Sequence, residues 1–173
     1  MSSKNAHIRI ALTGFMGVGK SSVARHMAGL LRCRRIDLDH FIEEREGRKI
    51  ADIIDDVGIE RFRRLETDCL RIASACDGDC ILSLGGGTWT IAANRELIRQ
   101  NGFQTVWLES SFEHCWYNIK FSPKDRPLAR CKEDARKLFD DRQLVYCLAD
   151  SHFIIRPELN SLDIARQIVE QIA

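Results

Sequence analysis

In the stretch Gly14-Phe-Met-Gly-Val-Gly-Lys-Ser-Ser22, the pattern G-x-x-x-x-G-K-S lies between an apolar run and an amphipathic one. Such a stretch is a phosphate loop when a strand leads into it and a helix leads out. Its glycines let the backbone curl into a nest of N–H groups that face phosphate oxygens, and the helix N-terminus behind adds a favourable partial charge. The nest is expected to use Gly17, Val18 and Gly19, with Ser22 in the first turn of the helix. Lys20 is expected to reach the β- and γ-phosphates, and the Ser21 hydroxyl to join the shell of an Mg²⁺ ion. At an average glycine usage of about 7%, four specified residues at this spacing are a rare accident. A bound nucleotide is therefore expected, and its phosphate needs an acceptor.

Asp37-Leu38-Asp39 ends a second apolar run. If the chain is still extended there, residues two apart point the same way, and both carboxylates enter one crevice. One could hold metal-bound water while the other accepts a hydrogen bond from a hydroxyl. Equally, either could cap the helix that begins near His40.

Two helical segments carry charge where a core face should be. On a wheel of residues 59–76, Ile59, Phe62, Leu65, Cys69, Leu70, Ile72 and Ala73 form an apolar arc, with Arg61, Arg64, Thr67, Asp68 and Arg71 opposite. Glu66 falls inside that arc and Arg63 at its edge, three residues away, so the two can pair. Desolvation makes a buried pair weak support for stability, which leaves a ligand as a second reason for Arg63, with Glu66 orienting it. On residues 131–147, Cys131, Ala135, Leu138, Phe139, Val145 and Tyr146 share a face with Arg142 in its middle. Two inward arginines and a carboxylate near a phosphate loop describe a pocket for a small anion that also carries hydroxyls. Gly85-Gly86-Gly87 offers backbone that a ligand can approach closely, or only a flexible turn. The polar segment Phe121-Ser-Pro-Lys-Asp-Arg-Pro-Leu128 suits a closing lid, with Arg126 meeting phosphate in the transition state, or an ordinary surface loop.

Such groups need elements to place them. Apolar runs at 8–13, 34–37, 80–84, 105–109 and 152–155 predict strands, several too apolar for a wet face, as in a parallel sheet covered on both sides. Helical patterns fall near 20–31, 38–46, 50–57, 59–76, 92–100, 111–119, 132–147 and 162–172. This alternation predicts an open α/β sheet, whose ligands collect at the carboxyl ends of the strands. At 173 residues one domain over 1–173 is expected, without repeats or linkers. The net charge of +1 gives no field that would draw nucleic acid or an anionic membrane. No apolar run approaches the roughly 18 residues of a membrane span, and the N-terminus lacks the pattern of a secretory signal. A soluble, cytoplasmic monomer is expected. Seven cysteines, without a C-x-x-C pair, suggest neither a disulfide framework nor a zinc site. Cys76-Asp-Gly-Asp-Cys80 reads as two reduced thiols rather than a redox pair.

Together, GFMGVGKSS, RRIDLDHFIEEREGRKIADI, RFRRLE, ILSLGGG, DRPL and DRQLVY resemble the shikimate kinase family in order and spacing, from Ile8 to Ile172. The resemblance implies an α/β, three-layer P-loop kinase fold with a five-stranded parallel sheet in the order 2-3-1-4-5. It implies ATP-dependent, Mg²⁺-assisted phosphorylation of the shikimate 3-hydroxyl, in aromatic amino-acid biosynthesis. By position, Asp39 would bind the reacting hydroxyl and serve as its base. Arg63 and Arg142 would bind the shikimate carboxylate, with Glu66 supporting Arg63 and Gly85, Gly86 and Gly87 near the ring hydroxyls. Asp37 would act with Ser21 around Mg²⁺, and Arg126 would arrive with a lid at about 119–131, closing over a substrate-binding segment at about 38–66. Asp39, Lys20 and Arg126 are thus the expected catalytic groups. The chain departs from the family pattern at Lys120, where an Arg packing on adenine is common, at Leu144, where a Pro is common, and at Arg156-Pro-Glu-Leu-Asn160. Trp89 stands where smaller residues are common, so it could narrow the substrate pocket or pack beneath the glycine loop. The competing readings are another small-metabolite or nucleotide kinase of the same fold, and a P-loop module that binds without transferring phosphate.

Overall fold

The computed structural model describes residues 7–172. Residues 1–6, part of the stretch where no secretory signal is expected, and Ala173 lie outside the described residues. The first strand, β1 (Arg9–Thr13), runs into the glycine loop, which opens α1 (Lys20–Leu31). β2 (Arg34–Asp37), α2 (Leu38–Glu46), α3 (Ile50–Val57) and α4 (Ile59–Ser74) follow, then β3 (Cys80–Ser83). After a 3₁₀ turn at Thr88–Thr90 come α5 (Ala92–Gln100), β4 (Gln104–Glu109) and α6 (Phe112–Lys120). A second 3₁₀ turn, Pro127–Ala129, precedes α7 (Lys132–Tyr146), β5 (Ser151–Ile154) and α8 (Ser161–Ile172).

The strands form one parallel sheet in the order β2-β3-β1-β4-β5, as the resemblance implies. Every residue of β3, and β1 from Ile10 onward, is buried, which explains their continuous apolar character. The outer strands β2 and β5 are short and half exposed, a common way to leave an edge unattractive for pairing. α1 packs against α8 and lies on β1, β2 and β3, while α4 packs on α2, α3 and α5.

Register aligns the strand ends that carry chemistry. Asp37 of β2 and Leu12 of β1 both pair with Ser83 of β3, and Thr13 pairs with Trp107. The glycine loop after Thr13, the acidic turn after Ile36 and the triple glycine after Leu84 therefore leave the sheet at one edge. This is the crevice in which open α/β sheets bind ligands.

Two wheel assignments need correction. Ile72 is 52% exposed. The buried positions of α4 are Phe62, Glu66, Cys69, Leu70, Ala73 and Ser74, an arc with Glu66 near its middle, and Ile72 falls more than about 100° from that middle at ~100° per residue. Cys131 is exposed as well, because it lies before the first turn of α7 and its Sγ accepts from Asp134 N–H at 3.4 Å. Trp89 packs beneath the glycine loop: it is fully buried, and its indole N–H donates to Val145 O at 3.1 Å.

Candidate active site

The phosphate loop curls over the start of α1. Gly17 has φ of 80°, and a Cβ there would come within 2.5 Å of Cys115 O, so only glycine lets the loop lie against α6. Asn118 Nδ2 of that helix donates to Gly17 O at 2.8 Å and pins the loop from outside. Lys20 is buried, and its ammonium donates to Gly14 O at 2.7 Å and Phe15 O at 3.0 Å. Burial lowers the Lys20 pKa to about 8, Arg126 adds to that shift, and Asp39 opposes it. Gly17, Gly19, Lys20, Ser21 and Ser22 line a cleft of about 430 Å³. Val18 does not: its side chain is buried in the core and its N–H points to Phe15 O at 3.3 Å.

Asp37 and Asp39 both reach this cleft, though not by strand alternation. Only Asp37 is extended, with φ −102° and ψ 113°, and α2 begins at Leu38. Asp37 caps that helix by accepting from His40 N–H at 3.2 Å, which brings Asp39 into the first turn, facing inward.

Asp39 also lines a second, smaller cavity together with Phe62, Arg63, Glu66, the triple glycine and Arg142. A Cβ on Gly85 would meet Asp39 Oδ1 at 2.8 Å, Glu66 Oε1 at 2.9 Å and Thr88 Oγ1 at 2.9 Å, and one on Gly87 would overlap the Arg63 guanidinium. Bare backbone is what allows these groups to converge. Arg63 Nη1 donates to Glu66 Oε2 at 2.6 Å, and the Thr88 hydroxyl donates to Glu66 Oε1 at 2.7 Å. Asn94, fully buried, donates to Thr88 O at 3.0 Å, and its Oδ1 accepts from the Thr67 hydroxyl at 2.8 Å. Burial pushes the Glu66 carboxyl up, while Arg63 and Thr88 pull it back toward the ionised form.

Arg142 is buried, and its Nη1 has no hydrogen-bond partner. Its guanidinium stands 5.9 Å over the Phe15 ring, and burial lowers its pKa. The Tyr146 hydroxyl, one turn on, donates to Gly86 O at 2.5 Å, and burial pushes that phenol up to about 12. A buried cationic donor without a partner is a place made for an anion.

The segment between α6 and α7 reaches over both cavities. Arg126 lines each of them and leaves its Nε without a hydrogen bond. Lys124 Nζ donates to Asp39 Oδ2 at 2.9 Å. Arg130 Nη2 bridges Asp55 on α3 and Asp125, both at 2.9 Å. Lys120 and Arg126 line a further cavity against Trp116 and Ile119.

Sequence reading singled out Glu66, Arg63, Arg142, Asp39 and Arg126, and the structure brings them together. It missed Thr88, Asn94, Lys124 and Asn118 as contributors to the site. Thr88 carried the one available signal, since it directly follows the triple glycine. The others depend on contacts from 27 to 101 residues away in the chain.

A phosphate loop at the switch point of a parallel sheet, with an acidic turn and a second, arginine-lined cavity beside it, defines a P-loop kinase of the small-metabolite type. Comparison with known proteins carries this further. A family model described as shikimate kinase matches residues 16–173. The shikimate kinase of Streptococcus suis is 39% identical over 168 residues, covering 95% of each chain. That of Sulfurihydrogenibium sp. is 37% identical over 164 residues, 94% of each. The structure of an Acinetobacter baumannii shikimate kinase in complex with shikimate superposes with a TM-score of 0.88 at 32% identity, over 96% of this chain and 93% of that one. The chain belongs to the shikimate kinase family.

Proposed function

We propose that this chain transfers the γ-phosphoryl group of ATP to the 3-hydroxyl of shikimate, giving shikimate 3-phosphate. The observation that carries the reading is Arg142, buried with an unpartnered Nη1, in a cavity that shares Asp39 with the phosphate cleft. Arg142 and Arg63 take the substrate carboxylate, and Glu66 fixes the fork of Arg63 through its 2.6 Å bond. Gly85, Gly86 and Gly87 let the ring hydroxyls approach backbone. Asp39 accepts the hydrogen bond, and then the proton, of the reacting hydroxyl. A neutral polyol would leave the buried Arg142 guanidinium unanswered, which disfavours that reading.

Phosphoryl transfer asks mainly for placement and charge neutralisation. Residues 119–131 act as the lid over a substrate-binding segment at 38–66, and Arg126 brings its cation to the transferring group while water is excluded. Lys20 neutralises the β- and γ-phosphates from the loop side. Ser21 and Asp37 line the phosphate cleft as a hydroxyl and a carboxylate, a donor set that suits Mg²⁺ when phosphates supply the remaining oxygens. Bound there, Mg²⁺ would supply positive charge to the phosphates. The described residues contain no cluster of three or more His, Cys, Asp or Glu, so a metal cage made by protein alone is not what these residues offer.

One chain supplies every group named, and we propose that it acts as a monomer with ATP and shikimate and with no nucleic acid. Among the described residues no helix is long and apolar enough to cross a membrane. All seven cysteines are unbridged, which fits a reducing compartment such as the cytoplasm. The test is coupled ADP release with shikimate, a panel of polyols and nucleoside monophosphates. Release should depend on shikimate, and Arg142→Ala should raise the apparent KM for it. Release indifferent to shikimate would defeat the proposal.

A further inference from the structure

Asp39 is gripped from across the cleft by a residue 85 positions away. Its Oδ2 accepts from Lys124 Nζ at 2.9 Å, while its Oδ1 lies toward Gly85, 2.8 Å from where a Cβ would stand. Lys124 lines both the phosphate cleft and the arginine-lined cavity, as among the described residues only Met16, Asp39, Gly86 and Arg126 also do. Its ammonium therefore sits at the boundary that the transferring group must cross. Both partners are partly exposed, with side chains 41% and 31% accessible.

We propose that Lys124 is a positioning residue for phosphoryl transfer: with the segment closed, its ammonium fixes one oxygen of Asp39 and leaves the other turned to the acceptor hydroxyl. This rests on the roles proposed above for Asp39 and for the lid. A carboxylate turns easily about its last torsion, so an unheld Asp39 would present its oxygens in many directions. Binding one oxygen removes that freedom. An ammonium has three donors and no fixed plane, so Lys124 can hold Asp39 and still face a phosphate oxygen.

The chain position of Lys124 gives the contact its meaning. One residue, Asp125, separates it from Arg126, so the same closure that brings Arg126 to the phosphates brings Lys124 to Asp39. An ion pair this exposed contributes little to stability, which allows it to break whenever the lid opens. With the lid open, Asp39 loses its orientation and Arg126 its place together, and water finds no assembled site.

Steady-state kinetics of Lys124→Met, Lys124→Arg and Asp39→Asn, alone and as the Lys124→Met/Asp39→Asn pair, test this. Lys124→Met should lower kcat by about tenfold through misplacement, with both KM values within about twofold of wild type and the melting temperature unchanged. Lys124→Arg should recover most of the rate. In the Asp39→Asn background, Lys124→Met should cost less than about twofold more, because the group it positions is gone. Wild-type kcat in Lys124→Met, or a full tenfold loss in the Asp39→Asn background, overturns the proposal. A wild-type chain without shikimate-dependent ADP release defeats the functional reading and this proposal together, whereas an active wild type with an indifferent Lys124→Met defeats this proposal alone.

Discussion

Around Glu66 the charged groups are buried and cross-linked: Arg63, Thr88, Asn94 and Thr67 form a chain of bonds of 2.6 to 3.0 Å. Around Arg130, at the far end of the segment over the cleft, the charges are half exposed and held only by ion pairs to Asp55 and Asp125. The two regions face the same ligand space under opposite physics. In the buried network each unmet bond would be costly, so the network has one arrangement and keeps Arg63 aimed before any substrate arrives. In the exposed one each contact is worth little and is screened by salt, so the segment can leave and return. On the roles proposed above, recognition belongs to the braced half, and the charges that finish the reaction belong to the half held by exposed pairs.

The comparison breaks most visibly at Arg126. Arg126→Ala should lower kcat by about a thousandfold, the scale on which a cation meeting the transferring phosphoryl acts, with the fold intact by circular dichroism. An unchanged rate would remove Arg126 from the mechanism. On the rigid side, Thr88→Val takes the hydroxyl from Glu66 Oε1 and leaves a buried carboxylate oxygen unmet. The expected result is an acceptor KM raised about tenfold and stability lower by about 1–3 kcal/mol, both restored largely by Thr88→Ser. If Thr88→Val lowered kcat alone, the brace would not be what aims Arg63.

The α/β alternation, the strand order through family resemblance, and the inward charges on α4 and α7 were all legible in the sequence, because periodicity and motif spacing are local signals. Glu66 illustrates this well: a Glu inside an apolar arc has few reasons to be there. What supports Glu66 was not legible. Thr88 is an ordinary threonine until α4 and the β3 loop meet, and Lys124 is one more charge in a polar segment until that segment folds over α2. The acidic turn shows the same limit in another form. Both carboxylates line the cleft, yet the extended chain expected to carry them there ends at Asp37, which caps α2 as the rival reading had it.

Lys20 offers a smaller effect, read by pH. Its pKa of about 8 means that the ammonium is mostly protonated at pH 7 and mostly neutral above about 8.5. The charged form attracts phosphate, so kcat/KM for ATP should fall as pH rises through that value, by about fivefold between pH 7 and 8.6. A profile flat to pH 9 would mean that the free chain does not hold Lys20 in its buried, desolvated place.

The smallest effect is expected at Arg130, whose side chain is 52% exposed between two carboxylates that are each 54% exposed. Asp125 and Asp55 hold its charged form, raising its pKa above the usual arginine range, yet in water such pairs contribute little because solvent competes for every partner. Arg130→Ala should therefore leave the melting temperature unchanged and alter kcat by less than about twofold at low salt. Wild type and variant should converge as added salt shortens the Debye length to about 3 Å at 1 M. A loss comparable to that of Arg126→Ala would mean that the tether to α3 governs closure, and the segment would then belong with the braced half of the molecule rather than with the mobile one.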